Sequence, residues 1–92
     1  MSAGDDRAAC RRLAAALWGE PVRSVRTRVC GLLGDEVRVE CRSVDDVPLA
    51  QTAGTWPALR RRLRDLCASR ARALAAAVES EGREDGGSHG ED

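Results

Sequence analysis

Between residues 6 and 18 the apolar positions recur with helical spacing. Cys10, Leu13, Ala14 and Leu17 fall on one side, and Arg11 and Arg12 fall on the other. This predicts an amphipathic helix. Asp5 and Asp6 stand at its start, where the unsatisfied N–H groups favour carboxylates. Gly19 supplies a left-handed stop and Pro21 prevents continuation.

The period then changes to two. Residues 22–30 place Val25, Thr27 and Val29 on one side and Ser24, Arg26 and Arg28 on the other. Residues 36–43 repeat the pattern with Val37, Val39 and Cys41 against Arg38, Glu40 and Arg42. Two half-buried strands are predicted. For their odd-numbered residues to share a face, the connecting loop must hold an odd number of residues. Leu32-Leu33-Gly34 suits a three-residue loop with Gly34 left-handed. The pairs expected are Val29 with Val37, Thr27 with Val39, and Val25 with Cys41.

Residues 45–55 contain Asp45, Asp46, Pro48 and Gly54 and are expected to form a loop. A long helix follows, opened either by a Thr55 cap or by Trp56 with Pro57 at the first helical position. The restriction before proline favours the second. Its apolar stripe is Leu59, Leu63, Leu66, Cys67, Leu74 and Val78, with Ala71 and Ala77 beside it. Gly, Ser and acids dominate residues 81–92, so a disordered tail is expected there. The fold class predicted is α+β, a helix–β-hairpin–helix (αββα), with residues 5–80 as one small domain.

Charge changes the picture of these elements. Every basic residue is Arg, and fifteen of them balance fifteen acids. Arg keeps its charge and grips carboxylate or phosphate with two N–H groups. The outer hairpin face carries Arg26, Arg28, Arg38 and Arg42 against Glu36 and Glu40, a net +2. Register sets Arg28 opposite Arg38, an unfavourable like-charge pair, with Arg26–Glu40 expected to compensate. On the second helix, Arg60, Arg61, Arg62 and Arg64 precede Arg70 and Arg72. Residues 55–78 carry six Arg and one Asp, net +5, and residues 79–92 carry six acids and one Arg, net −5. Both ends oppose the helix macrodipole, which suggests that these charges answer to something outside the helix.

The basic patch assigned from sequence is Arg26, Arg28, Arg38, Arg42, Arg60, Arg61 and Arg64. It is a candidate for an acidic partner or nucleic acid. No aromatic residue interleaves these arginines to stack a base. Trp18 and Trp56 are the only aromatics, and each is expected to anchor a helix end against the hairpin.

Little points to catalysis. The one histidine, His89, sits in the Gly/acid tail. Asp45-Asp46 reads as a turn rather than a catalytic acid pair. There is no GxSxG, and GLLG lacks the spacing and the Lys of a phosphate loop. The four cysteines, at 10, 30, 41 and 67, contain no CxxC pair and do not suit a zinc site. No cofactor and no small-molecule substrate are expected. No apolar run approaches membrane-spanning length. The acidic start does not suit a signal peptide, which points to a cytoplasmic or nuclear protein with reduced cysteines. The alternative is a mitochondrial presequence, for which Arg7 to Arg28 offers six Arg and one acid.

A two-stranded hairpin is marginal in water and leaves two unpaired edges. A protein partner or a homodimer is therefore expected. The expected docking elements are the hairpin edge and the residues Trp56, Leu59, Leu63 and Leu66. A small Arg-rich nucleic-acid-binding regulator is the alternative.

The run Gly34-Asp-Glu-Val-Arg-Val-Glu-Cys41, followed by a loop, a long helix and an acidic tail, resembles the small accessory subunits of the KEOPS complex. Residues 8–78 are also similar in plan to that complex's dimerising small subunit. The resemblance implies a non-catalytic part in tRNA threonylcarbamoyl-adenosine modification. It rests on architecture, without a diagnostic motif, and no functional residue is carried over from it.

Overall fold

A computed structural model describes the backbone of residues 3–88 and the side chains of residues 4–80. The first amphipathic stretch forms α1 (Ala3–Trp18), which starts three residues before the predicted helix. Gly19 ends it at φ +78°, and its N–H donates to the Ala15 carbonyl at 2.7 Å. Pro21 then leads into a short 3-10 turn, Val22–Ser24, where the first strand was expected to begin. That strand, β1 (Arg26–Cys30), is correspondingly shorter than 22–30.

β1 pairs antiparallel with β2 (Glu36–Arg42) in the predicted register, Val29 opposite Val37 and Thr27 opposite Val39. Val25 lies just before β1 and is buried in the same core as Cys41. The connection spans residues 31–35, longer than the expected three but still odd, so the facing of the side chains is unchanged. Gly34 is left-handed at φ +65°, and Gly31 is left-handed as well, at φ +93°. That φ strains any residue with a Cβ, and a Cβ on Gly31 would also displace the Asp35 carboxylate, whose Oδ1 would lie 2.5 Å away.

The segment 45–55, expected to be a loop, contains a third strand, β3 (Pro48–Ala53). The sheet order is β1-β2-β3, antiparallel throughout. The turn that creates it is built on Ser43, whose Oγ accepts from the N–H groups of Asp45 and Val47. Asp46 takes a left-handed φ of +63°, which Asp tolerates better than most residues. Pro48 is the first residue of the strand, where a missing N–H is acceptable. The premise of a two-stranded hairpin with unpaired edges is thus corrected. β2 is a central strand paired on both sides, and the free edges belong to β1 and β3.

The second long element is α2 (Trp56–Ser88). Its cap is Thr55, not Trp56: Thr55 Oγ1 accepts from Ala58 N–H at 3.2 Å, and its carbonyl accepts from Leu59 N–H at 2.9 Å. Pro57 sits at the second helical position, where its lack of an N–H costs nothing. The disordered tail expected over 81–92 falls on residues whose side chains are not described. The backbone of 81–88 continues α2, and residues 89–92 lie outside the described residues.

Two layers result, the sheet and, on its odd-numbered face, both helices. Val25, Val37, Val39 and Cys41 meet Cys10, Ala14 and Ala15 of α1 and Trp56, Leu59 and Leu63 of α2. Leu59 and Leu63 are completely buried, worth roughly 1.5–3 kcal/mol each by area. The helices are also tied by thiols: Cys10 Sγ donates to the Trp56 carbonyl and Cys67 Sγ to the Leu13 carbonyl, both at 3.4 Å.

Candidate interaction surfaces

The even-numbered face of the sheet is uncovered by the helices. Alternation puts Arg26 and Arg28 of β1 and Arg38, Glu40 and Arg42 of β2 on it, with Arg28 opposite Arg38 as expected. Glu40 does not pair with Arg26. Its Oε1 lies 2.9 Å from Arg38 Nε and 3.5 Å from Arg28 Nε, so one carboxylate bridges the two facing guanidinium groups. Arg38 Nε is buried and makes no well-directed hydrogen bond, so its contact with Glu40 is an ion pair only. Arg42 turns to the neighbouring turn, where Nη1 contacts Asp46 Oδ1 at 3.3 Å and the Asp46 carbonyl at 3.1 Å. Arg26 has no ion-pair partner among the described residues. Together with Ser24 and Pro48, Arg26, Arg38, Glu40 and Arg42 line an open hollow of about 460 Å³.

Arg60, Arg61 and Arg64 belong to α2, in the layer on the opposite side of the sheet. They line a smaller hollow of about 210 Å³ with Asp6 and Pro57. Arg60 is committed to Asp6, Nη1 to Oδ1 at 2.9 Å. The basic patch read from sequence is therefore two separate groups, in which Arg28, Arg38, Arg42 and Arg60 each have a carboxylate partner, Arg28 and Arg38 sharing one.

Two arginines outside that patch hold the sheet edges. Arg7 of α1 donates to Thr27 Oγ1 at 2.7 Å and to the Thr27 carbonyl at 3.2 Å, and its guanidinium lies 5.4 Å from the Trp56 ring centre. Arg62 of α2 donates to the Thr52 carbonyl at 2.9 Å. Each edge strand thus has a main-chain acceptor occupied by a helix side chain. Nothing in the sequence pattern marks these arginines among their neighbours.

The residues expected to dock a partner are placed inside instead. Trp56, Leu59 and Leu63 are buried in the chain's own core, and Leu66 packs against it. They are correctly assigned to one apolar stripe, but its first half is consumed by α1 and the sheet. Trp18 and Trp56 both pack at the core, as expected of helix-end anchors.

The second half of the stripe is different. Every residue from 68 to 80 is exposed, with Leu74 and Val78, one turn apart, at 50% and 67% exposure. The β1–β2 turn also presents Leu32 and Leu33 fully to solvent.

The four thiols are free. Burial pushes Cys10 from 9.0 up to about 11, aided by the nearby Asp6 carboxylate. Desolvation raises Cys41, and desolvation together with its hydrogen bond to Glu36 raises Cys30. Such thiols are held protonated near neutral pH. Among the described residues no cluster of three or more His, Cys, Asp or Glu could hold a metal ion, and no helix is long and apolar enough to cross a membrane.

Comparison with family models, curated proteins and solved structures finds no match to this chain.

Proposed function

We propose that the chain is a non-enzymatic interaction subunit of an intracellular assembly, docking through the free half of α2. The observation that carries this reading is the pair Leu74 and Val78, apolar and exposed one turn apart on a helical segment whose residues 68–80 are all exposed. An isolated helical segment is marginal in water, and most helical stability comes from packing an apolar face. A partner that covers residues 68–80 supplies that packing. Participation as a non-catalytic subunit in a KEOPS-type tRNA-modifying assembly is the specific form implied by the architectural resemblance alone.

Hydrogen exchange tests the proposal. In the native assembly isolated from its source cells, amides 68–80 should exchange much more slowly than in the purified chain when dilute. Equal exchange in the two states, or a chain that is a free monomer in its cells, overturns it.

A second reading, a nucleic-acid-binding regulator, draws on the hollow lined by Arg26, Arg38 and Arg42. Phosphate contacts release counterions, so such binding falls steeply with salt. It should also weaken for Arg26→Ala and Arg42→Ala. Binding to a short RNA that is absent, or unchanged by salt and by both substitutions, removes this reading.

A further inference from the structure

We infer that the hollow on the uncovered face of the sheet binds a dianionic phosphate group, free or carried by a small organic molecule as its monoester. The inference takes the hollow used by the second reading and gives it a different ligand. It is independent of the docking role of α2.

The site follows from the pleat. Arg28 stands opposite Arg38 and Arg26 opposite Glu40, with Arg42 two residues further along the same face. Like charges directly opposite each other destabilise a sheet. Glu40 relieves this only in part, because its single Oε1 serves both Arg28 and Arg38. Arg42 reaches Asp46 Oδ1 at 3.3 Å, but that carboxylate is 82% exposed and the pair is weak. Arg26 has no ion-pair partner among the described residues. Four guanidinium groups therefore meet two carboxylates, a net +2. On β3 the facing positions are Pro48, Ala50 and Thr52, which add no charge. Glu36, which accepts from the Cys30 thiol, and Glu20, near the Cys41 thiol, are not among the residues that line the hollow.

Donors remain as well as charge. Arg28 and Arg38 both meet Glu40 through Nε, so their terminal amino groups have no partner among the described residues. Arg38 Nε itself is buried without a well-directed hydrogen bond, which costs stability. Guanidinium forks match the oxygens of phosphate. Charge then selects the ligand. A phosphate monoester brings roughly −1.5 to −2 near pH 7 with three acceptor oxygens, enough to cancel the excess. A carboxylate, or a diester of a nucleic-acid backbone, brings a single charge and leaves part of it. The hollow, about 460 Å³, lies within the roughly 300–1,000 Å³ of small-ligand sites. Pro48 and Leu49 line it beside the arginines and give the organic part an apolar wall.

The test is isothermal titration calorimetry of the full chain with inorganic phosphate, phenyl phosphate and dimethyl phosphate at equal ionic strength. Phosphate and phenyl phosphate should bind saturably, one per chain, and dimethyl phosphate about tenfold more weakly or worse. Tighter binding of phenyl phosphate identifies an organic ester as the ligand, and equal or weaker binding identifies free phosphate. Arg26 is exposed and unpaired, so Arg26→Ala should keep its circular dichroism yet bind phosphate about tenfold more weakly. Glu40→Gln keeps an oxygen for the two Nε groups but raises the local charge by one, so it should bind phosphate more tightly, a gain that a merely structural Glu40 would not give. Dimethyl phosphate binding as well as phosphate, an unchanged affinity in Arg26→Ala, or no gain in Glu40→Gln overturns the inference. So does a chain that binds no phosphate. If a short RNA still binds through Arg26 and Arg42 in that case, the second reading survives. If it does not, both fall and the docking role of α2 is untouched.

Discussion

Asp6 Oδ1 and Arg60 Nη1 lie 2.9 Å apart, joining the first turn of α1 to the start of α2 across 54 residues of chain. Asp6 is the one buried charged residue among those described. Its carboxylate sits where the α1 dipole favours it and neutralises an arginine that composition alone would assign to a basic surface.

Removing that carboxylate leaves Arg60 half-buried without its partner. Asp6→Ala should lower unfolding free energy by about 1–3 kcal/mol, less than for a fully buried pair because Arg60 keeps contact with water. A urea midpoint equal to that of the wild type would show that the contact contributes nothing.

Leu63 is completely buried and Leu74 is half exposed, although both lie on the same stripe of α2. Leu63→Ala should cost about 2–5 kcal/mol, and Leu63→Arg should leave the chain unfolded. Leu74→Ala should stay within about 0.5 kcal/mol in the dilute monomer. Similar losses at the two positions would mean that the boundary between core and free helix is misplaced.

Stability should fall as pH rises from 9 toward 11. Cys10 has its pKa raised from 9.0 to about 11, so the folded state holds a proton that the unfolded chain releases. Its contribution is complete below pH 9 and is lost as pH climbs through the folded value. The sequence has no Lys and no Tyr, so the side chains that titrate in this window are its four thiols. Denaturation at pH 7 and pH 10.5 should show the drop, and Cys10→Ala should reduce it. The same drop in that variant would assign the effect to other thiols.

The turn that creates β3 depends on Asp46 at φ +63°. Asp46→Val should cost about 1–3 kcal/mol, since a β-branched residue is strained there. Asp46→Gly also removes the side-chain contact with Arg42, keeping the hydrogen bond to the main-chain carbonyl, but relieves the backbone, so its melting temperature should stay close to wild type. Equal losses in both variants would locate the stabilisation in the Arg42 contact instead.

Periodicity by itself determined α1, the β1–β2 register, the left-handed Gly19 and Gly34, and the apolar stripe of α2, because each depends on spacing along a short stretch of chain. It missed β3, because Pro48-Leu49-Ala50-Gln51-Thr52-Ala53 has few strand-favouring residues, and β2 alone supplies its pairing. The Thr55 cap likewise depended on which residue the folded chain could place at the helix start. Only the tertiary structure decided which half of the α2 stripe is core and which arginines remain free. A stripe records that a face is apolar, and a charge records only its sign. What covers the one or neutralises the other lies far away in sequence, as Asp6 does from Arg60 and α1 does from Leu63.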